Sequence, residues 1–400
     1  MTTHQPLILN KGEERRLRAG HLWVFSNEVD IKRSPLKGFE PGQIADVVDA
    51  HGKPHGTAMI NPNSLICARL ISRRPGRAPS RAWLGKRLAQ ALELRERIYP
   101  RPYYRLFFGE GDGLPGLVLD RFGDVIVGQL NTAGTDALKS EIEAALVKLI
   151  APTGILWRND SPVRELEGLK RVVEPGPGQL PDEVVVIEGG LRFRLDLMSA
   201  QKTGWYFDQQ ANRARVWPML GEARNVLDLY AYHGAWGIGA AVLGAESVQC
   251  VDSSQPAVSA IATHAAANGV SGAVLPIRED AEKLMDRLLV DREKFDAVIV
   301  DPPAFAPKAR DVKPALKAYR RINEKAMRLV APGGLLISCS CSAHVHEDRF
   351  GDILRQAARH VDRDLQVIMR LEQGPDHPVH PAIAETRYLK GLVMRVLPSF

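Results

Sequence analysis

From about Leu191 onward the chain alternates short apolar runs with longer stretches whose apolar residues recur at helical spacing. The runs are Asn225–Tyr230, Ser247–Val251, Val274–Ile277, Ala297–Val300 and Leu335–Ser338, and the stretches between them include Gln255–Asn268 and Ala315–Val330. Uninterrupted apolar runs suit strands covered on both faces, and amphipathic stretches suit the crossover helices that cover them. The alternation therefore predicts an α/β domain on a doubly wound, Rossmann-like parallel sheet. Two later runs, Gln366–Arg370 and Tyr388–Leu397, bring that sheet to about seven strands.

An open parallel sheet binds its ligand beyond the carboxyl ends of its strands, where the strand order reverses. In this chain those ends are acidic. The first is Val226-Leu-Asp-Leu-Tyr-Ala-Tyr-His-Gly-Ala-Trp-Gly-Ile-Gly239, a strand, then a turn in which Gly234 lets the backbone approach a ligand, then a helix. Its spacing differs from the dinucleotide fingerprint G-x-G-x-x-G. Asp252, Asp280 and Asp301 follow at the next three ends. Carboxylates so placed suit a ligand that donates hydrogen bonds from an ammonium group, a ribose diol and an adenine amine, and S-adenosyl-L-methionine fits that description. Asp280, opening a helical stretch, also reads as a routine N-cap.

Two of the ends carry reactive groups. Phe295-Asp-Ala-Val-Ile-Val-Asp-Pro-Pro-Ala-Phe305 stops on a carboxylate and two prolines, and Gly333-Gly-Leu-Leu-Ile-Ser-Cys-Ser-Cys-Ser342 stops on thiols. Adjacent strands would bring acid and thiol side by side, and a thiol there can attack a pyrimidine ring. Cys339 and Cys341 lie two apart, so strand parity does not separate them, and the position nearer the sheet edge favours Cys341. A free cysteine also reads as a small buried hydrophobe.

The first half is organised differently. Residues 1–78 alternate short apolar runs with Gly and Pro turns, as in a small β-barrel. Lys11, Arg15, Arg16 and Arg18 precede its Trp23-Val-Phe25 run, and Arg69, Arg73, Arg74 and Arg77 follow its last one. Such clusters suit RNA phosphates, or form a solvated charged face. Residues 79–190 hold an amphipathic connecting helix, Ser80–Ile98, and a small α+β domain with a Gly-dense turn at Gly109–Gly116 feeding a hairpin. Glu174-Pro-Gly-Pro-Gly-Gln-Leu-Pro181 reads as a flexible connection into the α/β domain, 191–400.

The 53 Lys and Arg against 47 Asp and Glu give a net charge of +6, a hint of an anionic partner. Four cysteines, without paired spacing, exclude a disulfide framework and a zinc site, so no metal is expected. No apolar stretch is long enough to cross a membrane and the start resembles no targeting peptide, so the cytoplasm is the expected location.

Taken together, the Asp228–Gly234 turn, Asp252, Asp280, Asp301-Pro-Pro-Ala-Phe305 and Ser340-Cys-Ser342 resemble the class I methyltransferase domain of the RlmI-type ribosomal RNA 5-methylcytosine methyltransferases. Gln201-Lys-Thr-Gly-Trp-Tyr-Phe-Asp-Gln-Gln-Ala-Asn-Arg213 is similar to that family's entry motif, which helps hold the cofactor, residues 15–27 resemble its N-terminal PUA domain, and Glu110–Gly116 its small central domain. The resemblance covers essentially the whole chain. It implies that S-adenosyl-L-methionine is held by Gln201, Thr203, Gly204, Asp208, Gln209, Asp228, Tyr230, Gly234, Asp252, Ser253, Asp280, Asp301 and Pro302. It further implies that Pro303 and Phe305 face the substrate base, that Cys341 is the nucleophile with Asp301 as its acid partner, and that 23S ribosomal RNA is the partner, a homodimer being admitted. The turn departs from the family in carrying Ala231-Tyr-His-Gly-Ala-Trp236; His233 reads as a tolerated surface residue in preference to one facing the cofactor, and Trp205 and Trp236 as core in preference to pocket lining. An amine-directed methyltransferase and a non-catalytic RNA-binding assembly factor are the competing readings.

Overall fold

The computed structural model describes residues 5–399. The chain packs as two compact units. One runs to Val186 and takes in Leu195–Phe207 and Pro375–Thr386; the other comprises Ile187–Arg194, Asp208–Gly374 and the chain from Arg387.

In the first unit, a five-stranded sheet is ordered Leu7–Ile8, Ile44–Val48, Pro54–Ile60, Ile66–Ser72, Trp23–Phe25. Leu7, Val24, Val47, Ile60 and Leu70 fill its inner face. A second five-stranded sheet spans Val172–Gly178, Gly154–Asn159, Val125–Leu130, Leu117–Phe122 and Tyr103–Phe108 in that order. The helix Arg81–Ile98 is capped by Ser80, whose side chain accepts from Trp83 N, and buries Leu84, Leu88 and Ala91. Arg95 on the same face is fully buried, donating to both oxygens of Asp112 at 2.7 Å and to the carbonyls of Arg105 and Asp376. The Gly-dense turn closes the hairpin between Tyr103–Phe108 and Leu117–Phe122, as the sequence implies.

The segment read as a flexible connection forms most of the strand Val172–Gly178, antiparallel to Gly154–Asn159. Proline is compatible with a strand only where its missing N–H faces no partner. This strand lies at the sheet edge, and its register shifts between Pro175 and Gly178.

The second unit is built on a seven-stranded sheet. Its strands are β1 (Asn225–Leu229), β2 (Ser247–Asp252), β3 (Val274–Arg278), β4 (Phe295–Val300), β5 (Val330–Ser340), β6 (Arg363–Glu372) and β7 (Lys390–Pro398), in the spatial order 3-2-1-4-5-7-6. The first five are parallel, while β7 runs antiparallel to both β5 and β6. Leu227, Leu229, Val251, Val298, Val300 and Leu336 are essentially inaccessible, which is why these strands read as continuous apolar runs. The order reverses between β1 and β4, so the crevice for a ligand lies at the ends of those two strands.

Candidate active site

At the end of β1 the backbone turns sharply. Tyr230 and Tyr232 have positive φ (62° and 49°), and Gly234 follows at 75° as the N-cap of helix Ala235–Val242. Left-handed backbone in two tyrosines is held only where surroundings fix it. Asp252 at the end of β2 supplies part of that hold, accepting from Tyr232 N at 3.0 Å and from Ser254 N at 2.9 Å. Ser253 beside it is exposed. His233 is not a free surface residue: it is half-buried, its ring stacks on His264 (5.2 Å, 29°), and burial pushes it down to about 3, so it is neutral at pH 7. Asp280 caps helix Ala281–Val290, its Oδ1 accepting from Glu282 N and Lys283 N.

Asp228 is fully buried in β1, and its Oδ2 accepts from Gly237 N at 3.0 Å. Its Oδ1 has no hydrogen-bond partner among the described residues. Burial, with Asp301 and Asp252 nearby, pushes its carboxyl up to about 8. Asp301, ending β4, is raised to about 6, chiefly by desolvation, and Asp208 adds to the rise. Three N–H···O contacts oppose it: Gln209 Nε2 lies 3.1 and 3.0 Å from the two oxygens, and Trp236 Nε1 donates to Oδ2 at 3.2 Å. Gln209 is itself oriented by Asn212, whose Nδ2 donates to Gln209 Oε1 (2.6 Å) and to the carbonyl of Glu372 (2.9 Å). Asp208 is anchored by the Tyr388 hydroxyl at 2.6 Å.

The thiols separate by burial. β5 ends at Ser340, so the parity argument does not reach Cys341, which lies one residue beyond. Cys339 is fully buried and its thiol is pushed far up, burial first; a Cβ at Gly391 on β7 would lie 2.9 Å from its sulfur. Both serines flanking Cys341 are also buried. Ser340 Oγ donates to the Tyr319 hydroxyl at 2.8 Å, and Ser342 Oγ meets that hydroxyl at 3.0 Å while accepting from Ala306 N. With its neighbours turned inward, Cys341 is half-exposed, and its Sγ lies 3.8 Å from the carbonyl oxygen of Pro302. Pro303 is exposed, and Phe305 packs on the Tyr319 ring at 4.8 Å.

The remaining sequence candidates lie in the first unit. Gln201 Oε1 accepts from the Tyr206 hydroxyl at 3.4 Å, Thr203 is buried, and Gly204 has φ 115°. Lys11, Arg15 and Arg18 are exposed, but Arg16 is committed internally: it stacks on Phe25, pairs with Glu28 at 3.3 Å and donates to Trp23 O.

Residues 7–73 match the PUA-like domain family, and residues 174–395 match the S-adenosylmethionine-dependent methyltransferase family. Ribosomal RNA large subunit methyltransferase I of Klebsiella pneumoniae subsp. pneumoniae is 35% identical over 396 residues, 98% of each chain. The protein of that name from Shewanella amazonensis is 36% identical over 394 residues, 97% of this chain and 98% of its own. The chain belongs to the ribosomal RNA large subunit methyltransferase I family. A solved structure described as a methyltransferase complexed with SAH has the same fold, with a TM-score of 0.84 over 98% of this chain and 100% of that one at 19% identity.

As a member of this family the chain is an S-adenosylmethionine-dependent methyltransferase, and its site fits that cofactor. Asp301 and Asp252 raise the proton affinity of Asp228, Asp208 raises that of Asp301, and one buried oxygen of Asp228 is left over. A ligand with an ammonium, a sulfonium and ribose hydroxyls brings the positive charge and the donors that this set lacks. Three residues of the site escaped the sequence reading. Trp236, taken as core, is 4% exposed, yet its N–H points at Asp301. Tyr319 lies mid-helix, where an aromatic at helical spacing signals only packing. Lys390 is 6% exposed on β7; its Nζ donates to the carbonyls of Ser342 (2.6 Å) and Val345 (2.7 Å), fixing the loop after Cys341, and burial lowers its amine to about 8.

Proposed function

We propose that the chain methylates C5 of a cytosine in large-subunit ribosomal RNA, with Cys341 as a covalent nucleophile. The observation that carries this reading is the placement of a half-exposed thiol between two buried serines, 3.8 Å from the carbonyl oxygen of Pro302, the residue that follows Asp301. Cytosine C5 is a poor nucleophile. Addition of the Cys341 thiolate to C6 forms a C–S bond and moves the C5–C6 electron pair into an enamine whose C5 can attack an electrophile. Asp301, with its carboxyl near 6, is partly protonated around neutrality and can give a proton to N3 as negative charge arrives there. When bound, S-adenosyl-L-methionine supplies the electrophilic methyl group. A base then removes the C5 proton, the returning electron pair expels the thiolate, and N3 gives its proton back to the Asp301 carboxylate. Pro303 and Phe305 would face the base, and Gln201, Thr203, Gly204, Tyr230, Ser253 and Asp280 would complete the cofactor's surroundings.

A base that must meet both thiol and methyl donor has to leave its stack, so single-stranded or loop RNA is the expected substrate. Lys11, Arg15 and Arg18 would hold its phosphates, and such a reaction belongs in the cytoplasm. Ribosomal RNA incubated with isotopically labelled S-adenosylmethionine and digested to nucleosides tests the reading by mass spectrometry. Label in 5-methylcytidine with wild type and none with Cys341→Ala is the expected result. Label in a methylated purine would replace it with amine methylation, and no label in any nucleoside would leave a non-catalytic RNA-binding protein.

A further inference from the structure

The first unit holds a cavity of about 570 Å³ that the methyl-transfer chemistry leaves unused. Arg73 and Arg74, just past strand Ile66–Ser72, line it together with Arg87 of helix Arg81–Ile98, Glu110 and Asp112 of the Gly-dense turn, and His380. The two carboxylates are already engaged. Glu110 Oε1 accepts from Trp23 Nε1 at 2.8 Å, and Asp112 takes both bonds from buried Arg95 and a third from Phe108 N.

No cation of the cavity has a carboxylate partner among the described residues. Arg87 is half-buried and lies over the Trp83 ring at 5.1 Å, yet it has no hydrogen bond or ion pair among the described residues, and desolvation alone lowers its proton affinity. The Arg74 side chain likewise makes no ion pair there, and Arg73 gives a single bond to the carbonyl of Gly20. The turn accommodates Arg87 because Gly113 has φ 82°, and a Cβ there would lie 2.4 Å from the guanidinium. His380, lowered by burial and by Arg73, contributes hydrogen bonding at neutral pH in place of charge. A half-buried guanidinium without a counter-ion is costly unless an anion joins it. A second cavity of about 320 Å³, lined by Trp83, Lys86, Arg87 and Gln90, extends the basic surface along the helix.

We propose that this cavity is a second RNA-anchoring site, in which Arg73, Arg74 and Arg87 hold a backbone phosphodiester of single-stranded RNA. It differs from the Lys11, Arg15 and Arg18 surface in being concave, with Arg87 half-buried behind the exposed Arg73 and Arg74, and it rests on the reading that RNA is the substrate. Guanidinium groups suit the role, since they offer paired donors to phosphate oxygens.

The test is fluorescence anisotropy of a short single-stranded RNA with full-length protein across a salt series, for wild type, Arg87→Gln, Arg74→Gln and Arg87→Lys, with calorimetric S-adenosylmethionine binding as the control of folding. Each Gln variant is expected to bind about 3- to 10-fold more weakly and to lower the slope of log affinity against log salt by about 0.7, the value for one lost single-strand phosphate contact. Arg87→Lys should keep the slope, and all variants should bind S-adenosylmethionine as wild type does. Wild-type slopes in both Gln variants overturn this site and leave the methyltransferase reading intact. Failure of wild type to bind RNA overturns both. Binding of adenosine monophosphate as tight as that of the oligonucleotide would mark a free-nucleotide site and overturn the proposal.

Discussion

Replacing Asp301 by Asn removes a negative charge that the unliganded site holds unfavourably. The carboxyl is raised from 3.8 to about 6, and at about 1.4 kcal/mol per tenfold change in proton affinity this is about 3 kcal/mol against the ionised folded form. Part of the residue remains open to solvent, and an amide cannot satisfy both Gln209 and Trp236 as a carboxylate does, so about 1–2 kcal/mol is the expected net gain. The sign follows from linkage. Because the folded carboxyl binds its proton more tightly than the unfolded one, wild type loses stability as pH rises from 3.8 through about 6, and the loss is complete near pH 7. Asn does not titrate. Asp301→Asn should therefore melt roughly 2–8 °C above wild type at pH 7, with the difference shrinking towards zero near pH 4, while methyl transfer is lost. Differential scanning calorimetry at matched ionic strength over this range reads the effect. A variant less stable than wild type at pH 7, or a difference independent of pH, would refute the reasoning.

Trp236→Phe keeps the ring and deletes the donor to Asp301, so the Asp301-dependent limb of the pH–rate profile should move to higher pH; an unmoved profile would show that the indole N–H has no hold on that carboxyl. Cys339→Ala removes one buried sulfur, and we expect a loss of about 1 kcal/mol in urea unfolding with methylation retained; abolished methylation in a folded protein would shift the nucleophile to Cys339. Lys390→Met leaves the Val345 carbonyl without its donor and the Ser342 carbonyl with Val345 N alone, at a cost of about 1–3 kcal/mol, and should slow turnover without weakening S-adenosylmethionine binding, measured by calorimetry beside single-turnover kinetics. Since the folded amine sits near 8, below its ordinary 10.5, the wild-type fold should gain stability as pH rises from about 8 to 10.5, and Lys390→Met should not show this gain.

The sheet was legible in the sequence. Strands covered on both faces must be apolar throughout and crossover helices must be amphipathic, so periodicity exposed all seven strands, and the rule that ligands bind at carboxyl ends pointed to Asp252, Asp280 and Asp301 as candidates. Only the tertiary structure decided which groups those ends face. Cys339 and Cys341 are nearly equivalent in sequence, yet one lies inside the sheet against Gly391 and the other beyond its edge beside Pro302. Trp236 carries the same apolar signal as any core aromatic, and its N–H matters only because β1 and β4 are neighbours. Pro175 was legible as a strand breaker but lies where an edge strand needs no donor. Lys390 lies far along the chain from the carbonyls of Ser342 and Val345 that it holds. Local periodicity reports which side of an element is buried; it carries no information about the element packed against it, and hydrogen-bond partners and counter-ions are decided there.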